Sequence, residues 1–149
     1  MTPSLAFQRG QHSQFRGAKM ALFIGPHLVT ILRDEVDTIP WPGHWDLVGG
    51  GREGLESAAD CAIRECHEEM GLVLDPGDLT WARRYERTGR FFWFFAAHLP
   101  QERQDDIRFG DEGQRFELVT AEAYLTNPGA IPRFQSRLSD YLDGKASHL

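Results

Sequence analysis

The feature that most constrains this chain is a helix-forming run with two incompatible faces. Glu65, Glu68 and Glu69 stand at i, i+3 and i+4, so they share an arc of about 100° on a helix. Ala59, Ala62, Ile63, Cys66 and Met70 form an adjacent apolar stripe, the pattern of a helix that packs on a sheet. Ser57 can cap the free N–H groups of the first turn, and Asp60 resembles the reciprocal partner of a capping box. Gly71 supplies a left-handed stop. A helix is therefore expected from Ser57 to about Met70. Its carboxylates lie at the edge of a buried seam and crowd toward the helix C-terminus, where the macrodipole disfavours anions. Like charges at these spacings cost roughly 0.2–0.5 kcal/mol per pair. A bound cation would reverse that cost; a solvated acidic face is the competing explanation.

Upstream, Trp45 to Val48 reads as a short strand running into a tight turn at Gly49-Gly50-Gly51, where the missing side chains let the backbone approach a ligand. Lys19 to Ile24 and Leu28 to Arg33, around Gly25-Pro26-His27, read as a hairpin or as two neighbouring strands. Residues 34–43, with two prolines and several acids, read as a loop. Leu79 to Arg87 and Phe91 to His98 read as strands around Thr88-Gly89, and Gln114 to Val119 as another. Thr120 caps a short helix that ends before Asn127-Pro128-Gly129. Ile131, Phe134, Leu138, Tyr141 and Leu142 line one face of a final amphipathic helix. Strands and helices are interleaved, which implies an α/β fold with a mixed central sheet between helical layers.

At 149 residues the chain suits one domain, expected over 17–143, with a mobile N-terminal arm at 1–16 and a tail at 144–149. No apolar run approaches the roughly 18 residues of a membrane span, and the first ten residues lack the pattern of a secretory signal. The net charge of −6 argues against a surface that coats nucleic acid. Cys61 and Cys66, five apart on one helix, point about 140° away from each other. They read as small buried thiols, which fits a reducing cytoplasm.

Gly50, five residues, Glu56, seven residues, then Arg64-Glu65-Cys66-His67-Glu68-Glu69-Met70-Gly71-Leu72 resembles the complete 23-residue box of the Nudix hydrolase family. Seven specified positions match: Gly50, Glu56, Arg64, Glu65, Glu68, Glu69 and Gly71. With typical residues near 1 in 15, chance gives this about once in 10⁸ windows, far more than the chain contains. Cys66 stands where an aliphatic residue is usual, and Val48 where relatives often carry proline before the glycines.

The resemblance implies a Nudix-type α/β/α sandwich and a MutT-like pyrophosphohydrolase. In this reading Glu65, Glu68 and Glu69, with the carbonyl of Gly49 or Gly50, bind Mg²⁺ or Mn²⁺. Hard cations prefer such oxygen ligands. Glu56 and Arg64 are expected to form an ion pair tying the loop to the helix. Glu112, in Gly110-Asp111-Glu112-Gly113-Gln114, resembles a further distant carboxylate, as metal ligand or general base; which glutamate is the base varies among relatives. The substrate is expected to be a nucleoside diphosphate linked to another group, first a nucleoside triphosphate or oxidised nucleotide. A nucleotide-sugar or ADP-ribose-type substrate is the alternative. A non-catalytic nucleotide sensor and a prenyl-diphosphate isomerase are readings of other classes. No nucleic-acid or membrane partner is implied, and the chain is expected as a monomer or homodimer. Arg83 and Arg84 on the second hairpin are candidates to hold a terminal phosphate or stack on a base. Alternation along the strand puts them on opposite faces. In the run Phe91-Phe92-Trp93-Phe94-Phe95, sheet core is the primary reading and base stacking the alternative.

Overall fold

Apolar residues run almost without a break along the first two strands (Met20–Ile24 and Leu28–Leu32, interrupted only by Thr30), and such runs suit a sheet buried on both faces. The computed structural model describes residues 15–145. The expected N-terminal arm up to residue 14, and the tail from 146, lie outside the described residues. Strand β1 (Phe15–Ile24) begins two residues inside the expected arm. Phe15 is buried, and the Arg52 guanidinium lies 4.4 Å from its ring centroid, which fixes the strand start in the core.

β1 turns at Gly25-Pro26 into β2 (His27–Leu32), with Phe23 opposite Leu28. The two strands are indeed a hairpin, but a short one. Beyond it, the same edge of β1 is taken by β4 (Val48–Gly51), antiparallel, with Met20 opposite Val48 and Gly17 opposite Gly51. The segment expected as one strand is thus two, because β3 (Trp45–Asp46) pairs with β2 before the chain crosses to β1. The three glycines form no turn. They are strand residues, and at Gly49 and Gly50 the lack of a side chain permits the close approach of β1 and of Glu65. A Cβ on Gly49 would lie 2.2 Å from the Ala18 carbonyl oxygen, and one on Gly50 would lie 2.3 Å from Glu65 Oε1.

On its other edge β1 pairs in parallel with β6 (Arg90–Leu99), which is antiparallel to β5 (Leu79–Arg87). Thr88 and Gly89 both have positive φ, the two-residue turn that suits a tight hairpin. β7 (Arg115–Val119) pairs antiparallel with β2. The resulting mixed sheet of seven strands carries helices on both faces, as the sequence pattern requires.

Helix α1 (Ala58–Met70) lies on one face. Ser57 caps it by accepting from the Asp60 N–H, and Gly71, at φ +70°, ends it. Ala58, Ala59, Cys61, Ala62, Cys66 and Met70 are buried, so small side chains let the helix sit close to the sheet. Burying Met70 alone contributes about 1.5–3 kcal/mol. The other face holds α2 (Ala121–Thr126), capped by Thr120, and α3 (Pro132–Leu142). Tyr124, Phe134 and Leu138 are buried there against Phe94 and Trp81. Leu142, expected on that apolar face, is exposed, and Arg137 occupies a buried position instead. Two 3-10 turns, Pro76–Asp78 and Gln101–Asp106, have no counterpart in the sequence reading. Among the described residues, no helix is long and apolar enough to cross a membrane.

Candidate metal centre

The glycines of β4 and the last two turns of α1 meet edge to edge, and this contact builds the site. The Gly49 N–H donates to Glu69 Oε1 at 2.8 Å. Gly50 brings the backbone against Glu65. The loop after the second 3-10 turn closes the other side by capping α1. Arg108 N–H donates to the Met70 carbonyl at 2.8 Å, and Gly110 N–H to the Glu69 carbonyl at 2.9 Å. Gly110 is needed for this approach, since a Cβ there would lie 2.3 Å from the Glu68 carbonyl oxygen. At the far end of the loop, Gln114 N–H bonds the Leu32 carbonyl at 2.8 Å, which hands the chain into β7.

These contacts place Glu53, Glu65, Glu68, Glu69, Asp111 and Glu112 around one cavity of about 400 Å³. A neighbouring cavity of about 250 Å³, between β2 and the 34–44 loop, shares Glu69 and Glu112 with it. Glu112 therefore comes to the same place as the helix glutamates, although more than forty residues separate them in the chain. Glu53 and Asp111 were missed by the sequence reading. Glu53 lies on the loop between β4 and α1, at a position the box leaves unspecified. Its carboxylate shares a cluster with Glu65 and Glu68, with one oxygen from each within 4.8 Å of the others.

Arg64 organises this acidic cluster. Its Nε and Nη2 donate to the two oxygens of Glu56 at 3.0 and 2.9 Å, a two-pronged pair that fits the guanidinium fork. Nη1 donates to Glu65 at 2.8 Å and Glu68 at 3.0 Å, and lies 3.3 Å from Glu53. Nη2 also donates to the Gly51 carbonyl at 2.8 Å. Glu56 accepts from the Glu53 N–H at 2.8 Å. Glu56 and Arg64 thus link the β4–α1 loop to the helix.

Electrostatically the site is under-neutralised. Hydrogen bonding to Arg64 holds the Glu56 carboxyl below its ordinary range. Burial pushes Glu65 up, and pushes Glu69 up to about 8. Lys19 opposes the rise at Glu69. Its ammonium bonds Asp46 at 3.0 Å, the Leu47 carbonyl at 3.2 Å and the Gly49 carbonyl at 2.8 Å. Arg33 adds a bond to Asp46 at 2.9 Å. The Gly50 carbonyl accepts from the Cys61 thiol at 3.6 Å. Any cation drawing on the Gly49 or Gly50 carbonyl would compete with these donors. Burial lifts both thiols, Cys61 and Cys66, to about 12, so they are inert structural groups.

A hard divalent cation suits this donor set. Several carboxylate oxygens converge on a polar cavity, the half-buried Glu65 and Glu69 are disfavoured as anions, and one arginine is shared among three of the lining acids and Glu56. Arg83 and Arg84 lie elsewhere. Arg83 is 3.5 Å from Asp140 of α3, and Arg84 stacks over Phe91 at 4.4 Å. They face opposite sides of the sheet, as alternation requires, and neither lines the acidic cavity. Phe94 and Phe95 are fully buried core, whereas Phe92 is half-buried.

The family model described as the NUDIX domain matches residues 16–140, and the chain belongs to that family. A CTP pyrophosphohydrolase of Escherichia coli (strain K12) is 33% identical over 58 residues, which span 39% of this chain and 43% of that protein. The crystal structure of a mutT/nudix family protein from Listeria innocua matches with a TM-score of 0.70 at 22% identity, covering 88% of this chain and 92% of that one. A Caenorhabditis elegans Ap4A hydrolase in a binary complex matches at 0.66 and 18% identity, covering 86% and 96%. At those identities the likeness is one of fold.

Proposed function

We propose that the chain is a divalent-metal-dependent pyrophosphohydrolase that cleaves a nucleoside diphosphate linked to another group, first a nucleoside triphosphate or an oxidised nucleotide. The observation that carries this reading is the single cavity walled by Glu53, Glu65, Glu68, Glu69, Asp111 and Glu112. A polyanionic substrate enters such a cavity only with cations.

In this reading Glu65, Glu68, Glu69 and Glu112 hold Mg²⁺ or Mn²⁺, and the remaining acids adjust to the load. When bound, such ions screen phosphate charge, orient the diphosphate and activate water. The protein's own part is positioning. Arg64 and Glu56 fix the β4–α1 loop, and the Gly49 N–H aims the Glu69 carboxylate into the cavity. Glu69, half-buried and raised in pKa by its loss of solvent, is suited to hold or release a proton near neutral pH. The local likeness to a CTP pyrophosphohydrolase supports a nucleoside triphosphate over a larger conjugate. All box glutamates are present, which favours an enzyme over a sensing module.

The test is a panel of nucleoside triphosphates, oxidised nucleotides, nucleotide sugars and ADP-ribose with Mg²⁺ and with Mn²⁺, products identified by mass. Release of pyrophosphate or phosphate with a nucleotide product is expected. No turnover of any member by folded protein would defeat the reading. Running the reaction in ¹⁸O-water identifies the phosphorus attacked.

A further inference from the structure

On the other side of the β4 glycines lies a cavity of opposite character. It holds about 130 Å³ and is lined by Arg16, Lys19, Arg87, Arg133 and Arg137, with Phe92, Trp93 and Phe134 among the walls. Among the described residues, no acidic side chain lines it. Gly50 and Gly51 form its rim. The same two residues touch Glu65 and Arg64 on the acidic side. The two cavities therefore meet across two residues without side chains.

Arg137 is the anomaly. It is 6% exposed, yet no carboxylate or carbonyl among the described residues bonds its guanidinium. Its contacts are aromatic: the guanidinium lies 4.6 Å from the Tyr85 centroid, 5.6 Å from Phe134 and 6.0 Å from Phe92. Asp140, three residues further along α3, is occupied by Tyr85 Oη at 2.8 Å and by Arg83. Lys19 has its own partner in Asp46. Burial, then the neighbouring Arg133, lowers Arg137 to about 10, and burial and Arg87 lower Arg133. An unpaired buried charge is costly, and aromatic faces offset only part of it. Such a site is stable in use when an anion completes it.

We propose that this cavity is a phosphoryl subsite, with Arg137 as its specificity-determining residue, and that the substrate carries a phosphoryl group beyond the diphosphate held at the carboxylates. The guanidinium fork matches phosphate oxygens in two-pronged fashion. Several cations around one small cavity balance a doubly charged phosphoryl better than a singly charged carboxylate. At about 130 Å³ the cavity is on the scale of a phosphoryl group, below the roughly 300–1,000 Å³ of pockets for drug-sized ligands. This assignment rests on the proposed hydrolase reading for its link to the reaction, but not for the binding of the anion.

The test is thermal melting in EDTA, with sodium phosphate against sodium chloride and sodium acetate at equal ionic strength. EDTA silences the carboxylate site. At about ten times the dissociation constant, phosphate should raise the melting temperature of the wild type by about 3–6 °C. Arg137→Met should lose at least two-thirds of that shift, and should melt at or above the wild type without phosphate. Arg133→Met should lose at least half, and serves alone if Arg137→Met does not fold. Glu69→Gln should keep the full shift. Absence of a shift in the wild type, an equal shift in wild type and Arg137→Met, or an equal shift with acetate would overturn the assignment. A phosphate response in a protein that hydrolyses nothing would leave the subsite standing and the hydrolase reading fallen.

Discussion

The acidic and cationic cavities sit back to back across Gly50 and Gly51, and they treat charge in opposite ways. The acidic cavity contains its own counter-ion. Arg64 reaches Glu53, Glu56, Glu65 and Glu68 and is held in place by a carbonyl. Among the described residues no acid lines the cationic cavity; Asp46, outside its lining, takes up Lys19 alone of its cations by a direct ion pair, and the most buried arginine rests on aromatic faces. A built-in partner keeps a cluster of like charges folded and shaped before its ligand arrives. A cluster without one carries a standing cost that the ligand removes. The first arrangement favours a rigid metal platform, the second a binding site whose stability reports directly on occupancy.

The comparison breaks most visibly at Glu69. Replacing it by Gln should cut turnover at least about 100-fold in a folded protein, the loss expected if Glu69 holds the metal as proposed. Steady-state kinetics alongside circular dichroism checks this, and near-normal turnover removes Glu69 from the site. Arg64→Lys comes next. A lysine cannot reproduce the fork to Glu56 while reaching Glu65 and Glu68, so metal affinity or activity should fall about 10–100-fold. Unchanged metal affinity would mean that the platform does not depend on Arg64.

At the cationic cavity, Arg137→Met should raise KM about 10-fold or more for a substrate with the additional phosphoryl group, with kcat little changed, because binding rather than chemistry is lost. A fall in kcat alone would move Arg137 into the reaction. A smaller effect concerns pH. Burial lifts Glu69 to about 8 from an ordinary 4.5, so between those values the metal-free folded protein keeps a proton that the unfolded chain has released. Stability should therefore fall as pH rises through that window. Glu69→Gln should flatten the slope and melt roughly 2–4 °C above the wild type at pH 8 in EDTA, equivalent to about 1 kcal/mol. Parallel melting curves for the two proteins would show that the carboxyl is not so perturbed. Gly71→Ala should cost a similar 1–2 kcal/mol through its left-handed backbone alone; at φ +70° a Cβ would also meet Arg108 Cβ at 2.8 Å.

The acidic cavity was largely visible in the sequence because its core lies on consecutive turns of one helix. Glu65, Glu68 and Glu69 declare their shared face by spacing, and Ser57 and Gly71 mark the ends. Glu53 was hidden because loop residues have no period, and the loop course is set by Arg64 and Glu56. The glycines read as a turn because three in a row usually make one. Only the hairpin's early divergence, which leaves the edge of β1 open for β4, makes them a strand. The cationic cavity draws on β1, β4, β5, β6 and α3, and no local pattern joins them. One signal was present: Arg137 stands on the apolar arc of α3 with Phe134, Leu138 and Tyr141, at i, i+3, i+4 and i+7. An arginine on a buried stripe asks for a partner, and the described residues supply no acid that bonds it.

The most direct test of the metal platform is calorimetric titration of Mn²⁺ into folded, metal-free protein at pH 7.5 in buffers of different ionisation enthalpy. Saturable uptake with proton release is expected, because Glu69 must give up its proton to ligate, and Glu69→Gln should weaken uptake at least about 10-fold and abolish the release. A folded wild type that binds no Mn²⁺, with or without a nucleotide, would contradict the assignment of the carboxylate cavity.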